Sequence, residues 1–199
     1  MSASSFRLIV GLGNPGAEYR QTRHNAGFWF VDRLAEDARA SWQRQSRQQC
    51  ELARVRIGAH ELWLMKPTTF MNGSGAAVQS VAAFYRIAPA EMLVVHDEID
   101  LPPGTVRLKF AGGHGGHNGL RDIMACVGAD FWRLRLGVGH PGDKDRVVDA
   151  VLSRASSAEQ ALIDKALARG LAALPSLLDG ASQTAMQQLH SQADAPPVD

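Results

Sequence analysis

The stretch Leu8–Phe28, LIVGLGNPGAEYRQTRHNAGF, constrains this chain more than any other. The apolar run Phe6–Val10 reads as a buried strand. It breaks at Gly11-Leu12-Gly13-Asn14-Pro15-Gly16, where three glycines and a proline interrupt regular structure. Helical spacing resumes from about Thr22, with Phe28, Val31, Leu34 and Ala35 on one side. A strand that stops at such a loop and then presents Asn14, Tyr19, His24 and Asn25 exposes polar groups at a sheet end. In α/β folds that is where ligands bind.

Gly11, Gly13 and Gly16 also spell G-x-G-x-x-G, the dinucleotide fingerprint. That motif needs a helix opening inside the glycine run, so that its N-terminus faces a pyrophosphate. Here Pro15 and a polar stretch to Thr22 intervene. The next strand, near Leu52–Ile57, ends in Gly58-Ala59-His60 with no acid for a ribose. Nicotinamide and flavin binding are set aside, and no cofactor is expected.

Downstream, Glu51–Ile57 and Glu61–Met65 form a hairpin around Gly58-Ala59, after a polar loop over Arg39–Gln49. Lys66–Gly75 is a loop, and a helix follows over Ser74–Tyr85. Met92–His96 is an uninterrupted apolar strand suited to a sheet centre. Thr105–Phe110 and Trp132–Val138 are further strands, with the glycine-histidine run Ala111–Gly119 and a helix over Leu120–Val127 between them. The pattern is helical beyond Lys144. Ser156–Leu178 is a long amphipathic helix broken near Pro175, serving as core packing rather than as a lid, and Ala181–His190 is a short helix. The expected fold class is α/β: a single domain with a mixed central β-sheet and helices on both faces, phosphorylase/hydrolase-like. Residues 1–191 are expected to form one catalytic domain and 192–199 a disordered tail.

The 199 residues are 45% hydrophobic and 21% charged, as in a soluble globular protein. No run approaches membrane-spanning length, and the N-terminal apolar run is too short for a signal peptide. Cys50 and Cys126 are isolated, which suits a reducing cytoplasm. Cys126 is expected to be a buried structural thiol. Net charge is only +1, but positive charge is concentrated. Residues 1–60 hold nine Lys/Arg against five Asp/Glu, and 101–146 hold seven against four. A local basic face of that kind is enough to hold a few phosphates.

Four loops carry unusual polar groups: Asn14–Asn25, Phe70-Met71-Asn72, Asp97, and His114–Asn118. If the strands Phe6–Val10 and Met92–His96 are parallel neighbours, His24 and Asp97 can meet. A carboxylate on one imidazole nitrogen fixes the tautomer and frees the other nitrogen as a base. There is no G-x-S-x-G elbow, and neither cysteine is well placed, so water is the expected nucleophile. Asn14, Asn72 and Asn118 are neutral amides that can grip a peptide-like backbone or stabilise an oxyanion. These parts describe ester or amide hydrolysis without a covalent intermediate. His114-x-x-His117 has the look of a zinc pair, but its glycine flanks and the lack of nearby cysteine argue against metal. Glu98 and Asp100 are expected to be structural or solvated.

Five motifs stand here in one order: GLGNPG-x-x-Y-x-x-T-R-H-N-x-G, K-P-x-T-[FY]-M-N-x-S-G, V-x-H-D-[ED]-[IL]-D-L-P-x-G, G-G-H-G-G-H-N-G-L-[RK] and R-[LI]-R-[LVI]-G-[IV]-G-H-P. In these the chain resembles the bacterial-type peptidyl-tRNA hydrolases, over about residues 6 to 180. The resemblance implies cleavage of the ester between a peptide and the terminal ribose of tRNA. It implies His24 as general base, Asp97 as the group holding it in its basic form, and Asn14 as the discriminator of N-blocked from free aminoacyl-tRNA. It implies substrate contacts from Tyr19, Phe70, Asn72 and Asn118, a cleft lined by Met71 and His117, and a phosphate clamp of Lys109 and Arg135. A cytoplasmic, metal-free monomer is expected, with tRNA as partner and no membrane association. Two other classes stay open: a non-catalytic RNA-binding relative, and a hydrolase of small peptide or amide substrates.

Overall fold

A computed structural model describes residues 6–190. Seven strands form one sheet in the order β2-β3-β4-β1-β5-β7-β6. They are β1 (Leu8–Gly11), β2 (Gln43–Gln45), β3 (Cys50–Ile57), β4 (His60–Pro67), β5 (Met92–Glu98), β6 (Val106–Phe110) and β7 (Trp132–Gly137). The central strands β4, β1, β5 and β7 are parallel, and β2, β3 and β6 pair antiparallel at the two edges. The α-helices among the described residues are α1 (Ala26–Asp37), α2 (Ser74–Tyr85), α3 (Asn118–Val127), α4 (Val147–Val151), α5 (Ser157–Leu178) and α6 (Ser182–His190).

The period-two alternation of the strands divides the core into two layers. Ile9, Leu93 and Val95 pack with Phe30, Val31 and Leu34 of α1 and Ile163 and Leu167 of α5. Leu8, Val10, Met92 and Val94 face the other way, onto Val78 and Val81 of α2 and Leu120 and Ile123 of α3. Helices therefore lie on both faces, as the alternating pattern predicts.

Several local expectations need correction. The helix expected from Thr22 opens with a 3-10 turn over Arg23–Asn25, and the α-helix proper starts at Ala26. The polar loop Arg39–Gln49 contains β2, a three-residue edge strand. It is held by backbone pairing to β3 and buries nothing, so hydrophobic periodicity carries no trace of it. Pro175 does not break α5, which runs on to Leu178. Burial of Ala173, Leu174, Leu177 and Leu178 outweighs the roughly 3 kcal/mol that an interior proline costs. A capping box between Ser156 and Glu159 opens the same helix. Cys126 is only partly buried, unlike Cys50, because it lies off the stripe Leu120–Ile123 that α3 turns to the core. The expected tail 192–199 lies outside the described residues. No helix among the described residues is long and apolar enough to cross a membrane.

The N-terminus of α1 sits directly on the sheet. A Cβ on Gly27 would lie 2.3 Å from the Val95 carbonyl oxygen and 2.4 Å from the Leu12 nitrogen. Across the contact, a Cβ on Gly11 would lie 2.3 Å from the Gly27 oxygen. Only a glycine pair permits this approach. It places the turn before α1 beside the carboxyl ends of β1 and β5.

Candidate active site

A cleft of about 250 Å³ opens at those strand ends. Leu93 and Val95 of β5 face α1, so Asp97, two residues on, points to the same side and meets His24. His24 Nδ1 lies 2.9 Å from Asp97 Oδ1 and 3.0 Å from Oδ2. Against Asp97, Nδ1 carries the hydrogen. Nε2 has no protein partner among the described residues and stands at the cleft wall.

A second imidazole reaches the same carboxylate from the other layer. His117 is the N-cap of α3, and its Nδ1 accepts from the Leu120 N–H at 3.3 Å. That bond fixes the tautomer, so His117 Nε2–H donates to Asp97 Oδ1 at 2.9 Å. The two rings stand 4.9 Å apart. Asp97 is 2% exposed. Burial opposes its charge, but His24 and then His117 overcome this and hold it far below the usual carboxylate range. For His24 the balance runs the other way. Burial lowers its pKa, while the Asp97 charge and hydrogen bond raise it by more, leaving it above its ordinary value. His96, behind His117, gives its Nδ1–H to the Asp97 carbonyl. Burial and the neighbouring His117 push it down to about 3, so it stays neutral.

Asn14 is locked in one orientation. The Met71 N–H donates to its Oδ1 at 2.7 Å, which leaves the amide N–H₂ as the free end at the cleft. The main chain of Asn14 is held in turn by Asn25, whose Oδ1 accepts from the Asn14 N–H at 2.8 Å and whose Nδ2 donates to the Asn14 oxygen at 3.0 Å. Asn14 is thus a donor only, not the two-way amide expected from its residue type.

Asn72 and Asn118 are exposed and line the cleft with Phe70, Met71 and His117. Tyr19 stands outside the cleft and packs edge-on against Phe70, with ring centroids 6.2 Å apart. Phe70 itself is 60% exposed. The far wall is apolar: Val147, Val148, Val151 and Leu152, from α4 and its end, with Ile99. This short helix lines the cleft, while α5 packs in the core as expected. Arg23, next to His24, ties the two together. Its guanidinium donates to the Ala150 and Arg154 carbonyls, Ser153 Oγ and Glu159 Oε2.

Lys109 and Arg135 lie together in an adjoining cavity of about 260 Å³, which shares Glu98 and Gly115 with the cleft. Arg135 Nε donates to Glu98 Oε2 at 3.0 Å, so Glu98 is structural here. Arg133, whose side chain is buried beneath this cavity, donates to the Gly112 and Gly113 carbonyls and fixes the base of the glycine-histidine loop. Asn25, which the opening loop presents, and Arg133 are supporting residues to which sequence reasoning assigned no role. The available signal for Arg133 was a charge at an inward position of a strand. For Asn25 it was an amide directly following His24.

Every expected cleft residue except Tyr19 lines the cleft, and both clamp residues share one cavity beside it. His114 does not join His117, since its Nδ1 accepts from the Gly116 N–H in its own loop. Among the described residues, the three groups close enough to hold an ion together are His24, Asp97 and His117.

Comparison with known proteins gives the family. Residues 8–196 match the family model described as peptidyl-tRNA hydrolase. A peptidyl-tRNA hydrolase of Azoarcus sp. is 56% identical over 193 residues, covering 96% of this chain and 88% of the relative. One from Neisseria meningitidis serogroup A is 51% identical over 191 residues, covering 96% and 100%. The crystal structure of peptidyl-tRNA hydrolase from Acinetobacter baumannii superposes with a TM-score of 0.92 at 48% identity, covering 95% of this chain and 96% of that one. With near-complete coverage at about half identity, the chain belongs to the peptidyl-tRNA hydrolase family.

Proposed function

We propose that this enzyme, a hydrolase of the ester in peptidyl-tRNA, works by water activated at His24 Nε2. The observation that carries the reading is the His24 Nδ1–Asp97 hydrogen bond at 2.9 Å, which leaves Nε2 as a lone-pair acceptor at the cleft. A histidine pKa above its usual value suits a base working near neutrality. Water attacks the ester carbonyl as Nε2 takes its proton, and the proton passes to the departing ribose oxygen. The Asn14 N–H₂, with Asn72 and Asn118, supplies uncharged donors for the peptide and the developing oxyanion. The amides of the cleft suit an acylated nitrogen, and its two carboxylates, Asp97 and Glu98, are already engaged by the imidazoles and by Arg135 rather than held for a free α-ammonium, which supports discrimination at Asn14. Neither cysteine supports a covalent route. Both lie away from the cleft, and burial pushes the Cys50 thiol up to about 11.

Lys109 and Arg135 hold a tRNA phosphate in the adjoining cavity, and Phe70 with Tyr19 offers an aromatic surface to the tRNA end. His117 orients Asp97 as well as lining the cleft. The protein acts in the cytoplasm as a monomer and needs no metal. The test is hydrolysis of N-acetyl-aminoacyl-tRNA beside its unblocked counterpart, in the wild type and in His24→Ala. The expected result is preference for the blocked substrate and a loss of about 10²–10⁴ in rate without His24, with binding retained. Near-wild-type turnover in His24→Ala would overturn the base assignment.

A further inference from the structure

We propose that the His24–Asp97–His117 cluster is an inhibitory binding site for a borderline divalent cation of the Zn²⁺ type. The two imidazoles and the carboxylate each offer one ligand atom, and these atoms lie within 4.8 Å of one another. Two nitrogens and one oxygen, on residues that line the cleft, make up the donor set of an open zinc site, whose fourth ligand would come from the cleft side. The nitrogens now stand 2.9 Å from the shared Asp97 Oδ1. A tetrahedral zinc would hold its ligand atoms roughly 3.4 Å apart, so the two nitrogen–oxygen contacts open by about half an ångström while the two nitrogens, which lie within 4.8 Å of each other, settle to the same spacing. The charge also fits. Asp97 is buried and anionic, and its side chain is partnered only by the two imidazoles among the described residues. Imidazole donors select Zn²⁺ or Co²⁺ over Mg²⁺, which demands an oxygen shell.

Occupancy stops the reaction through a proton. Coordination needs lone pairs on His24 Nδ1 and His117 Nε2, both of which carry hydrogen in the free cluster. The His24 proton moves to Nε2, and the lone pair that would activate water is gone. The His117 proton moves to Nδ1, where it meets the Leu120 N–H donor to donor, so the 3.3 Å cap bond is lost and the ring must turn slightly away from α3. The inhibitory consequence rests on the base role of His24, but binding of the cation does not.

The experiment titrates the metal-free full chain with Co²⁺, read by visible absorption, and then displaces it with Zn²⁺, read by calorimetry. One equivalent is expected, unaffected by a large excess of Mg²⁺. Zn²⁺ should block ester hydrolysis over the concentration range in which it binds. Asp97→Asn and His117→Asn should each weaken binding by more than about tenfold. The second keeps an N-cap acceptor, so α3 still starts correctly. His114→Gln and His140→Gln should bind as the wild type does. Should a variant misfold, imidazole ¹⁵N shifts in the wild type decide, and Zn²⁺ must move those of His24 and His117. Absence of a one-to-one complex, binding untouched in both cluster variants, loss of binding in His114→Gln, or shifts confined to other histidines would overturn the proposal. A chain that failed to cleave the ester would still report on the cation, so the two readings fail separately.

Discussion

Asp97→Asn isolates what the carboxylate does for the base. The substitution keeps the shape of the side chain, removes its charge and turns one oxygen into an N–H₂ donor. Oδ1 accepts from both His24 Nδ1 and His117 Nε2 at 2.9 Å, so the amide oxygen settles there. The new N–H₂ then replaces Oδ2, 3.0 Å from His24 Nδ1, and sets donor against donor. Relief comes when the His24 proton moves to Nε2, which removes the lone pair from the cleft. A wrong-tautomer base of this kind costs up to about 10⁴ in rate, and about 10² is the floor for losing general-base catalysis. The charge has a separate signature. Burial lowers the His24 pKa and Asp97 raises it above 6.5. With the carboxylate gone, only the lowering influence remains. The acid limb of kcat/KM against pH, measured on N-acetyl-aminoacyl-tRNA, therefore moves to lower pH while the plateau falls. A loosened fold would lower the plateau and leave the limb where it was. An unmoved or upward-shifted limb, or a loss under about tenfold, would refute the reasoning.

Asn25→Ala removes both bonds that hold the Asn14 main chain and leaves that buried pair unpaired. A stability loss of about 2–4 kcal/mol is expected in urea denaturation, with a lower kcat as the Asn14 donor drifts. Lys109→Ala and Arg135→Ala should weaken tRNA binding across sequences, each reducing the slope of log K against log salt by about one, and a filter-binding salt series checks this. His96 is buried and neutral, with a folded pKa of about 3 against about 6.5 unfolded. Between those values the unfolded chain binds the extra proton, so stability falls as pH drops, by up to about 1.4 kcal/mol per pH unit. His96→Gln should flatten that fall in denaturation curves taken across the window.

The parts of the site legible in the sequence were those set by strand order and period. Two apolar runs reading as parallel neighbours placed His24 opposite Asp97, and β1 and β5 are paired that way. Motif residues such as Asn72, Met71 and Asn118 fell into the cleft because they sit at strand ends and helix starts that the pattern located. What stayed hidden depends on contacts between loops. The orientation of Asn14 is decided by a Met71 backbone N–H 57 residues away, and its position by Asn25. No periodicity encodes either bond. Edge strand β2 and the unbroken α5 were hidden for a related reason. One exists through backbone pairing alone, and in the other tertiary burial overrides a local signal that sequence reading must take at face value.

The His24–Asp97 pair is held from both layers of the molecule at once. His24 arrives with α1, because the Gly11–Gly27 contact lets that helix begin on the ends of β1 and β5. His117 arrives with α3, on the opposite face, through a cap bond that also sets its tautomer. Their common partner is Asp97, on the strand between the two layers. A shift of either helix by about 1 Å would lengthen one of these bonds beyond hydrogen-bonding range. The His24 tautomer is therefore a property of the packed sandwich. Arg23 extends the dependence to α4, since its guanidinium joins the turn that carries His24 to the helix that lines the apolar wall of the cleft. The imidazole and that wall therefore belong to one connected unit.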